Sequence, residues 1–473
     1  MAAGVISHAT PQLDASADVV IIGAGASGLV AALRAQAAGA DVIVLERDAS
    51  PSGSTAMSSG FVPAPSTRFQ RAIGVSDDTP ERFEADILAK SDGRSAAALA
   101  HLASTAIGPA LEWLADAHGI EWIVLDDFLY PGHTRHRMHA VPEKTGAALH
   151  ARLLAAAEAA GVTIVTEARA TRLFVGGSDH VEAVEIARRG GTTEAIGCKA
   201  LVLACSGFGG NAELVARYIP EIADGLYYGH AGNTGDALLW GEALGARLDH
   251  LSGYQGHGSL ANPHGILISW ALMMRGGIQV NMTGERFSDE SGGYSEQAVH
   301  VLAQPGGIAW DIYDRAIHEF ALAFPDYAEA DKSGAIRTAP DVAGLAAATG
   351  LPETRLAATL AAIEACRNGR AVDRFGRDFT GIAPLAPPYQ AVKVTGALFH
   401  TQGGLMIDDD ARALRCDGSA FANLFAAGGA ACGVSGPLVS GYLSGNGLLT
   451  AIAFGSVAGT AAATVALNWS RTD

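Results

Sequence analysis

Residues 19–48, VVIIGAGASGLVAALRAQAAGADVIVLERD, constrain this chain more than any other stretch. Val19 to Ile22 is a short apolar run of the kind that forms a buried strand. Gly23, Gly25 and Gly28 follow at G-x-G-x-x-G spacing. An alanine-rich segment from Leu29 to Ala38 has helix-forming composition, and Gly39 ends it. Val42 to Leu45 predicts a second strand, closed by Glu46. Gly23 permits a tight turn, Gly25 lets a pyrophosphate approach the backbone, and Gly28 lets the helix pack close to the strand. The helix N-terminus then faces the phosphates. Glu46 stands 18 residues beyond Gly28, where an acid can grip a ribose hydroxyl. An acid at that place disfavours a 2′-phosphate, and so NADP. The unit predicts a dinucleotide-binding α/β domain.

Two later stretches choose between dinucleotides. Residues 53–60, GSTAMSSG, supply small hydroxyl and glycine residues, and residues 419–455 hold a second glycine-rich segment. With the first unit, they resemble the FAD-binding flavoproteins of the fumarate reductase and succinate dehydrogenase family over nearly the whole chain. The resemblance implies an α/β fold class: a Rossmann-like FAD-binding domain with an inserted α+β cap domain. The implied layout is a disordered leader at 1–15, FAD-binding domain at 16–257, cap at 258–388 and FAD-binding domain again at 389–473. Implied cofactor contacts are Gly23, Gly25, Ala26, Ser27, Gly28, Glu46 and Arg47, then Ser54, Thr55, Ser59 and Gly60. Ala204 and Gly207 follow at the second glycine turn, CSGFGGN. Asp236 stands in the family's T-G-D helix start, where Thr234 can cap. Gly429, Asn446 and Leu448 complete the set, with the closing helix aimed at the flavin pyrimidine ring. No histidine occurs in 49–60, where membrane-bound relatives attach FAD covalently, so noncovalent FAD is expected.

Bulk properties bound the partners. A chain of 473 residues exceeds one ordinary core, so two or three domains are expected. The formal net charge of −17 argues against nucleic acid and anionic membrane surfaces. Five cysteines without C-x-x-C spacing read as free thiols in a reducing, cytoplasmic compartment with no zinc site. No charge occurs between Asp417 and Arg471, a run that could resemble a membrane span. Its many glycines, with Pro437, Ser440, Ser444 and Asn446, fit backbone wrapped around a buried cofactor better, so no membrane insertion is expected.

Helices are expected over Pro80–Lys90, Ser95–His118 and Gly146–Ala160. Val162–Thr166, Ala170–Val175 and Val181–Ala187 alternate like antiparallel strands. Residues 126–147 concentrate histidine and arginine. The i, i+3 spacing of His133, His136 and His139 would suit a metal, but no acid or cysteine completes a shell, and a loop near the flavin fits better. A helix-turn-helix is expected within Asp341–Arg374. Residues 392–408 are expected as two strands around a Gly403–Gly404 turn, and residues 440–463 as the closing helix.

A flavin supplies the redox step, and the protein must supply binding, orientation and proton transfer. Residues 280–298, VNMTGERFSDESGGYSEQA, resemble the family's cap signature N-x-x-G-x-R-F-x-[ND]-E. Fumarate reductases carry a proton-donating arginine a few residues further on. Here Tyr294 stands near that place, and the arginine is missing. A tyrosine there resembles the 3-ketosteroid dehydrogenases, which implies that Tyr294 removes an α-proton while a hydride leaves the β-carbon. A phenol can serve as base where neighbours stabilise its phenolate. Tyr442 and Gly445, in SGYLSGNG, are expected to polarise the ketone as an enolate oxyanion hole, although the steroid enzymes' Y-P-G-P-G run is absent. His257 and His400 match carboxylate-binding histidines of fumarate reductases, and Tyr130 is an assisting phenol. The expected activity is desaturation of a cyclic ketone, with an electron acceptor the sequence leaves open. Reduction of an activated C=C in a dicarboxylate or enone is the rival, and a non-catalytic flavin carrier is a third reading.

Overall fold

Apolar run, glycine turn and alanine-rich helix set the order of elements at the start of the chain. The computed structural model describes residues 5–469. Strand β1 (Val5–Ser7) precedes β2 (Ala15–Ile22), helix α1 (Ala26–Ala37) and β3 (Val42–Leu45). Helix α2 (Pro80–Lys90) starts on a Thr79 cap with proline at its first position. Helix α3 (Ala97–His118) stops at left-handed Gly119. Helix α4 (Gly146–Ala159) is capped by Thr145. Strands β4 (Thr163–Val165), β5 (Ala168–Val175), β6 (Val181–Arg188) and β7 (Thr193–Leu203) follow, then helix α5 (Asp236–Ala243).

The next stretch holds β8 (Tyr254–Ala261), β9 (Ile278–Val280), α6 (Tyr294–Leu302) and β10 (Ile308–Asp314). Helices α7 (Val342–Thr349) and α8 (Glu353–Arg367) are the expected helix pair, followed by β11 (Tyr389–Thr401). Strand β12 (Ala420–Ala426) and helix α9 (Asn446–Leu467) end the described chain.

Two compact units emerge, one from residues up to Ile219, Gly229–Tyr254 and His400 onward, the other from Pro220–Tyr228 and Gln255–Phe399. In the first, the sheet runs β1-β5-β6-β7-β2-β3-β4. Strand β2 lies parallel between β7 and β3, with Val20 opposite Leu201 on one edge and Ile43 on the other. Val19, Val20 and Ile21 are wholly buried, the pattern of a strand covered on both faces. Helix α9 lies along α1 at backbone distance. A Cβ at Gly459 would stand 2.1 Å from the Ala31 carbonyl oxygen. By length and composition, α9 is the one helix among the described residues able to cross a membrane, yet 67% of its most apolar stretch is buried in the protein. In the second unit, β8-β11-β10-β9 form a sheet, with β10 antiparallel to both neighbours. Its core includes Ile278, Ile312, Leu345, Leu356 and Ile363.

Several local expectations are corrected. The leader is not all disordered: Val5–Ser7 pairs with Arg172–Phe174, and residues 1–4 lie outside the described ones. Strand β4 is parallel to β3, not part of an antiparallel run, because it follows α4 as a crossover. Gly235, at φ +83°, precedes α5 in place of Thr234, whose hydroxyl instead donates to Asp236. Residues 404–405 pair with 248–249 rather than folding back on β11. The closing helix starts at Asn446, after a 3₁₀ turn at Val439–Gly441. The second unit extends to Phe399 because β11 is one continuous strand, and Leu226–Tyr227 joins it opposite Ala397–Leu398.

Candidate functional site

The glycine turn that the sequence offers to a dinucleotide lies in the first unit. Gly23 turns at φ +107°, and a Cβ there would lie 2.5 Å from the Ala204 carbonyl oxygen. At Gly28 a Cβ would strike the Gly23 carbonyl oxygen at 1.9 Å, so helix and turn can meet only without a side chain. Gly25 is different: a Cβ there would find only the Thr55 hydroxyl, at 3.6 Å. The protein leaves that side open, which is where a pyrophosphate must come close. The Thr55 hydroxyl accepts the first helical amide, from Ala26 (3.0 Å). Glu46 is buried and accepts from the Ala24 amide (3.0 Å) and the Asp48 amide (2.9 Å), one on each oxygen. Each oxygen keeps a second lone pair for a ribose hydroxyl. His150, on α4, adds a bond to the Ala24 carbonyl (2.8 Å).

The remaining expected contacts surround this turn in the same unit. Ser54 accepts from Asn233 (2.8 Å), and Arg47 donates to the Gly232 carbonyl (2.6 Å). Ser59 is half-buried, and Gly60 approaches the backbone of Thr145 at the start of α4. Gly207 and Gly429 are in close backbone approach, and burial pushes the Asp236 carboxyl above its usual range. Leu448 is half-buried against the core. Among the expected cofactor contacts, two buried polar atoms have no partner among the described residues: the Ser27 hydroxyl on α1 and Asn446 Oδ1 at the first position of α9. An open glycine turn, an acid at the second strand and orphaned polar atoms at two helix N-termini fit FAD, which carries phosphates, ribose hydroxyls and a ring N–H.

Ahead of α9, Gly445 adopts φ +86°, and a Cβ there would lie 2.5 Å from Pro63. The turn carrying Tyr442 is anchored by His133, whose Nε2 donates to the Ser444 carbonyl (2.9 Å). Arg137 holds the other ring nitrogen (3.3 Å) and is itself wholly buried against Asp78 and Asp86. His139 bonds Thr67 (2.7 Å) and the Arg137 carbonyl (2.9 Å). Burial lowers both histidines to about 4, so each ring is neutral at pH 7. These rings brace the loop, and no cluster of metal-holding side chains occurs among the described residues. His400 meets Tyr442 edge-on, with ring centroids 5.5 Å apart, and burial lowers it to about 4. Tyr130 is half-buried and packs on Phe128, centroids 4.7 Å apart.

The second unit holds Tyr294 at the first position of α6, after Gly293. Its ring stacks on His257 at 4.7 Å, and Phe399 stacks on His257 at 5.2 Å. Trp270 closes the cluster edge-on to His257, at 5.9 Å. The Ser259 amide donates to His257 Nδ1 (3.1 Å), leaving the proton on Nε2, and burial lowers the ring to about 3. The cap signature is a buried ion cluster: Glu290 receives Arg286 (2.6 Å) and Arg377 (3.1 Å), and Asp373 holds the free side of Arg286. His150, Phe399, Trp270 and the bracing role of His133 escaped the sequence reading. Only the histidine and arginine density of 126–147 pointed towards the last.

Residues 18–448 match the family described as FAD binding domain. A probable fumarate reductase of Shewanella frigidimarina is 30% identical over 454 residues, covering 95% of this chain and 75% of that protein. 4-Oxocyclohexanecarboxylate 2-dehydrogenase of Sinomonas cyclohexanicum is 28% identical over 544 residues, covering 90% and 92%. Among solved structures, 3-ketosteroid-Δ4-(5α)-dehydrogenase from Rhodococcus jostii, in complex with 4-androstene-3,17-dione, has a similar fold. Its TM-score is 0.77 at 24% identity, covering 98% of this chain and all of that one.

Proposed function

The chain belongs to the FAD binding domain family and is an FAD-dependent oxidoreductase, and on that premise we propose that it desaturates a cyclic ketone beside the carbonyl. The ketone is of the 3-ketosteroid or cyclohexanone type. The observation that carries this reading is Tyr294. It begins a helix, where the N-terminal dipole favours a phenolate, and it stacks on a neutral imidazole. No arginine lies between Ser291 and Leu302 to serve as a proton donor. Noncovalently bound FAD supplies the hydride acceptor. Tyr294 takes the α-proton, and the Tyr442 hydroxyl with the Gly445 amide donates to the ketone oxygen as it becomes an enolate. His257 and His400 assist as neutral hydrogen-bond donors, with Tyr130 as an assisting phenol. The glycine cradle, Glu46, Ser27 and Asn446 hold the dinucleotide. A cytoplasmic location suits five unpaired cysteines.

The fumarate reductase-like relative favours a second reading, reduction of an activated C=C in a dicarboxylate. Two charges on such a substrate call for cationic partners. Burial keeps His257 and His400 uncharged at pH 7, and Arg286 and Arg377 are already held by acids. A neutral ketone matches these residues better. Anaerobic mixing of the FAD-loaded enzyme with saturated cyclic ketones should bleach the flavin. Tyr294→Phe should slow that bleaching roughly 10²- to 10⁴-fold at unchanged FAD content. Wild-type rates in Tyr294→Phe would remove Tyr294 from the mechanism. Turnover of fumarate with a reduced dye, and none of ketones, would favour the second reading.

A further inference from the structure

His400 sits at the end of a chain of polar side chains that no catalytic role yet uses. Gln402 Nε2 donates to His400 Nδ1 (3.0 Å), and Gln402 Oε1 accepts from the Ser435 hydroxyl (2.7 Å). Ser435 in turn accepts from Asn446 Nδ2 (3.0 Å). Gln402, Ser435 and Asn446 are all buried. The other face of His400 is close to the first turn of α9, where a Cβ at Gly447 would lie 2.7 Å from Nε2.

The chain could in principle run in either sense, because amides and hydroxyls both donate and accept. Its end at Asn446 decides the sense. That residue opens α9, and one of its amide atoms has no partner among the described residues. A helix N-terminus favours a bare oxygen and disfavours a bare NH₂. With Oδ1 outward, Nδ2 must donate to Ser435, Ser435 to Gln402 and Gln402 to His400. The Thr401 carbonyl also lies 3.3 Å from Nδ1 and would take a proton from it in the opposite tautomer, but the Gln402 amide, donating at the shorter 3.0 Å, makes Nδ1 the acceptor and leaves the single proton on Nε2.

We propose that Gln402 is a positioning residue that fixes His400 as the neutral Nε2–H tautomer, so that His400 acts on substrate as a hydrogen-bond donor and not as a base. The logic is that of any orienting group behind a histidine: the partner at one ring nitrogen sets what the other can do. Burial reinforces it, since the ring does not take a second proton until about pH 4. The chain also couples the two ends of this stretch. Whatever meets Asn446 Oδ1 stabilises the same sense that keeps His400 a donor.

The substrate part of this inference rests on the ketone reading; the tautomer does not. The test uses FAD-loaded enzyme with heavy-nitrogen-labelled histidine, the His400 ring being assigned by the signal lost in His400→Asn. The nitrogen shifts of the wild-type ring should report bare Nδ1 and protonated Nε2. A ring protonated on Nδ1 would overturn the proposal before any variant is made. Gln402→Glu replaces the donor with an acceptor and should move the proton to Nδ1. Gln402→Met should leave the ring a mixture of tautomers. In both, KM for the cyclic ketone should rise about tenfold, the loss of one hydrogen bond, with a smaller change in kcat. Unchanged ring shifts and unchanged KM in both variants would also overturn it. If no ketone bleaches the wild-type flavin, the ketone reading fails, and the ring measurement still decides the tautomer.

Discussion

Acidification should unfold the FAD-binding unit before its carboxylates protonate. His133, His139 and His400 are each lowered by burial from 6.5 to about 4. In the unfolded chain all three titrate near 6.5. Between these values the unfolded chain binds more protons than the folded unit, so stability falls as pH falls. Each unit of pH across the window is worth about 1.4 kcal/mol per ring. Each ring therefore contributes about 3 kcal/mol, and the three together about 10 kcal/mol, which rivals a whole domain's stability of roughly 5–15 kcal/mol. The measurement is urea unfolding of the FAD-loaded protein from pH 7.5 to 4.5, followed by flavin fluorescence and circular dichroism. The midpoint should begin to drop near pH 6.5. At the steepest part these three rings alone contribute about 4 kcal/mol per pH unit, and His257, His118, His180 and His250, also lowered by burial, add in the same direction. His139→Gln removes one titrating ring and should lower that slope by about 1.4 kcal/mol per pH unit, even though it also destabilises the unit at neutral pH. A midpoint level between pH 7 and 5, or a slope unaltered in His139→Gln, would refute the reasoning.

Other outcomes follow from single side chains. Gly25→Val should purify as apoprotein, because its side chain fills the space left open for the pyrophosphate; a yellow, fully loaded variant would contradict the cradle. Gly459→Val should cost about 3 kcal/mol or more and lower the melting temperature measurably, since its first carbon alone would lie 2.1 Å from the Ala31 carbonyl oxygen. Asp311, on β10, has the opposite pH sign to the histidines: burial raises its carboxyl to about 7, against hydrogen bonds from Ser259 and Gln279, so its stabilisation is lost as pH rises from about 4 through 7. Asp311→Asn should therefore gain stability over wild type at pH 8 and show no gain at pH 4, read by thermal unfolding at the two values.

The strand–turn–helix shape of the candidate cradle was legible because its residues are local in sequence. The glycine triplet, the apolar strands and Glu46 lie within thirty residues, and each answers to one physical requirement. Helices with clear start signals, such as Thr79–Pro80 and Thr145–Gly146, were found at their true first residues. Parallel pairing of β4 was missed, since a three-residue strand carries no mark of its partner's direction. The closing helix was expected early because residues 440–445 share its composition; the left-handed turn at Gly445 is what delays it. The braces behind the site were less visible. Gln402 and Asn446 are 44 residues apart, and Arg137 meets Asp78 across a gap of 59, pairings that only the folded backbone creates.

The contact of α9 with α1 has a consequence for how the protein is made. Ser27 and Ala31 leave the ribosome more than 400 residues before Gly455 and Gly459, the glycines that lie against their carbonyls. At about 5–20 residues per second, that delay is roughly 20–80 s. Throughout it, α1 and the apolar strands beside it have no partner on the face that α9 will cover, and Asn446 has not yet been added. The nascent first half must be sheltered by chaperones or by its own transient contacts, and FAD is expected to be captured only after the late helix arrives.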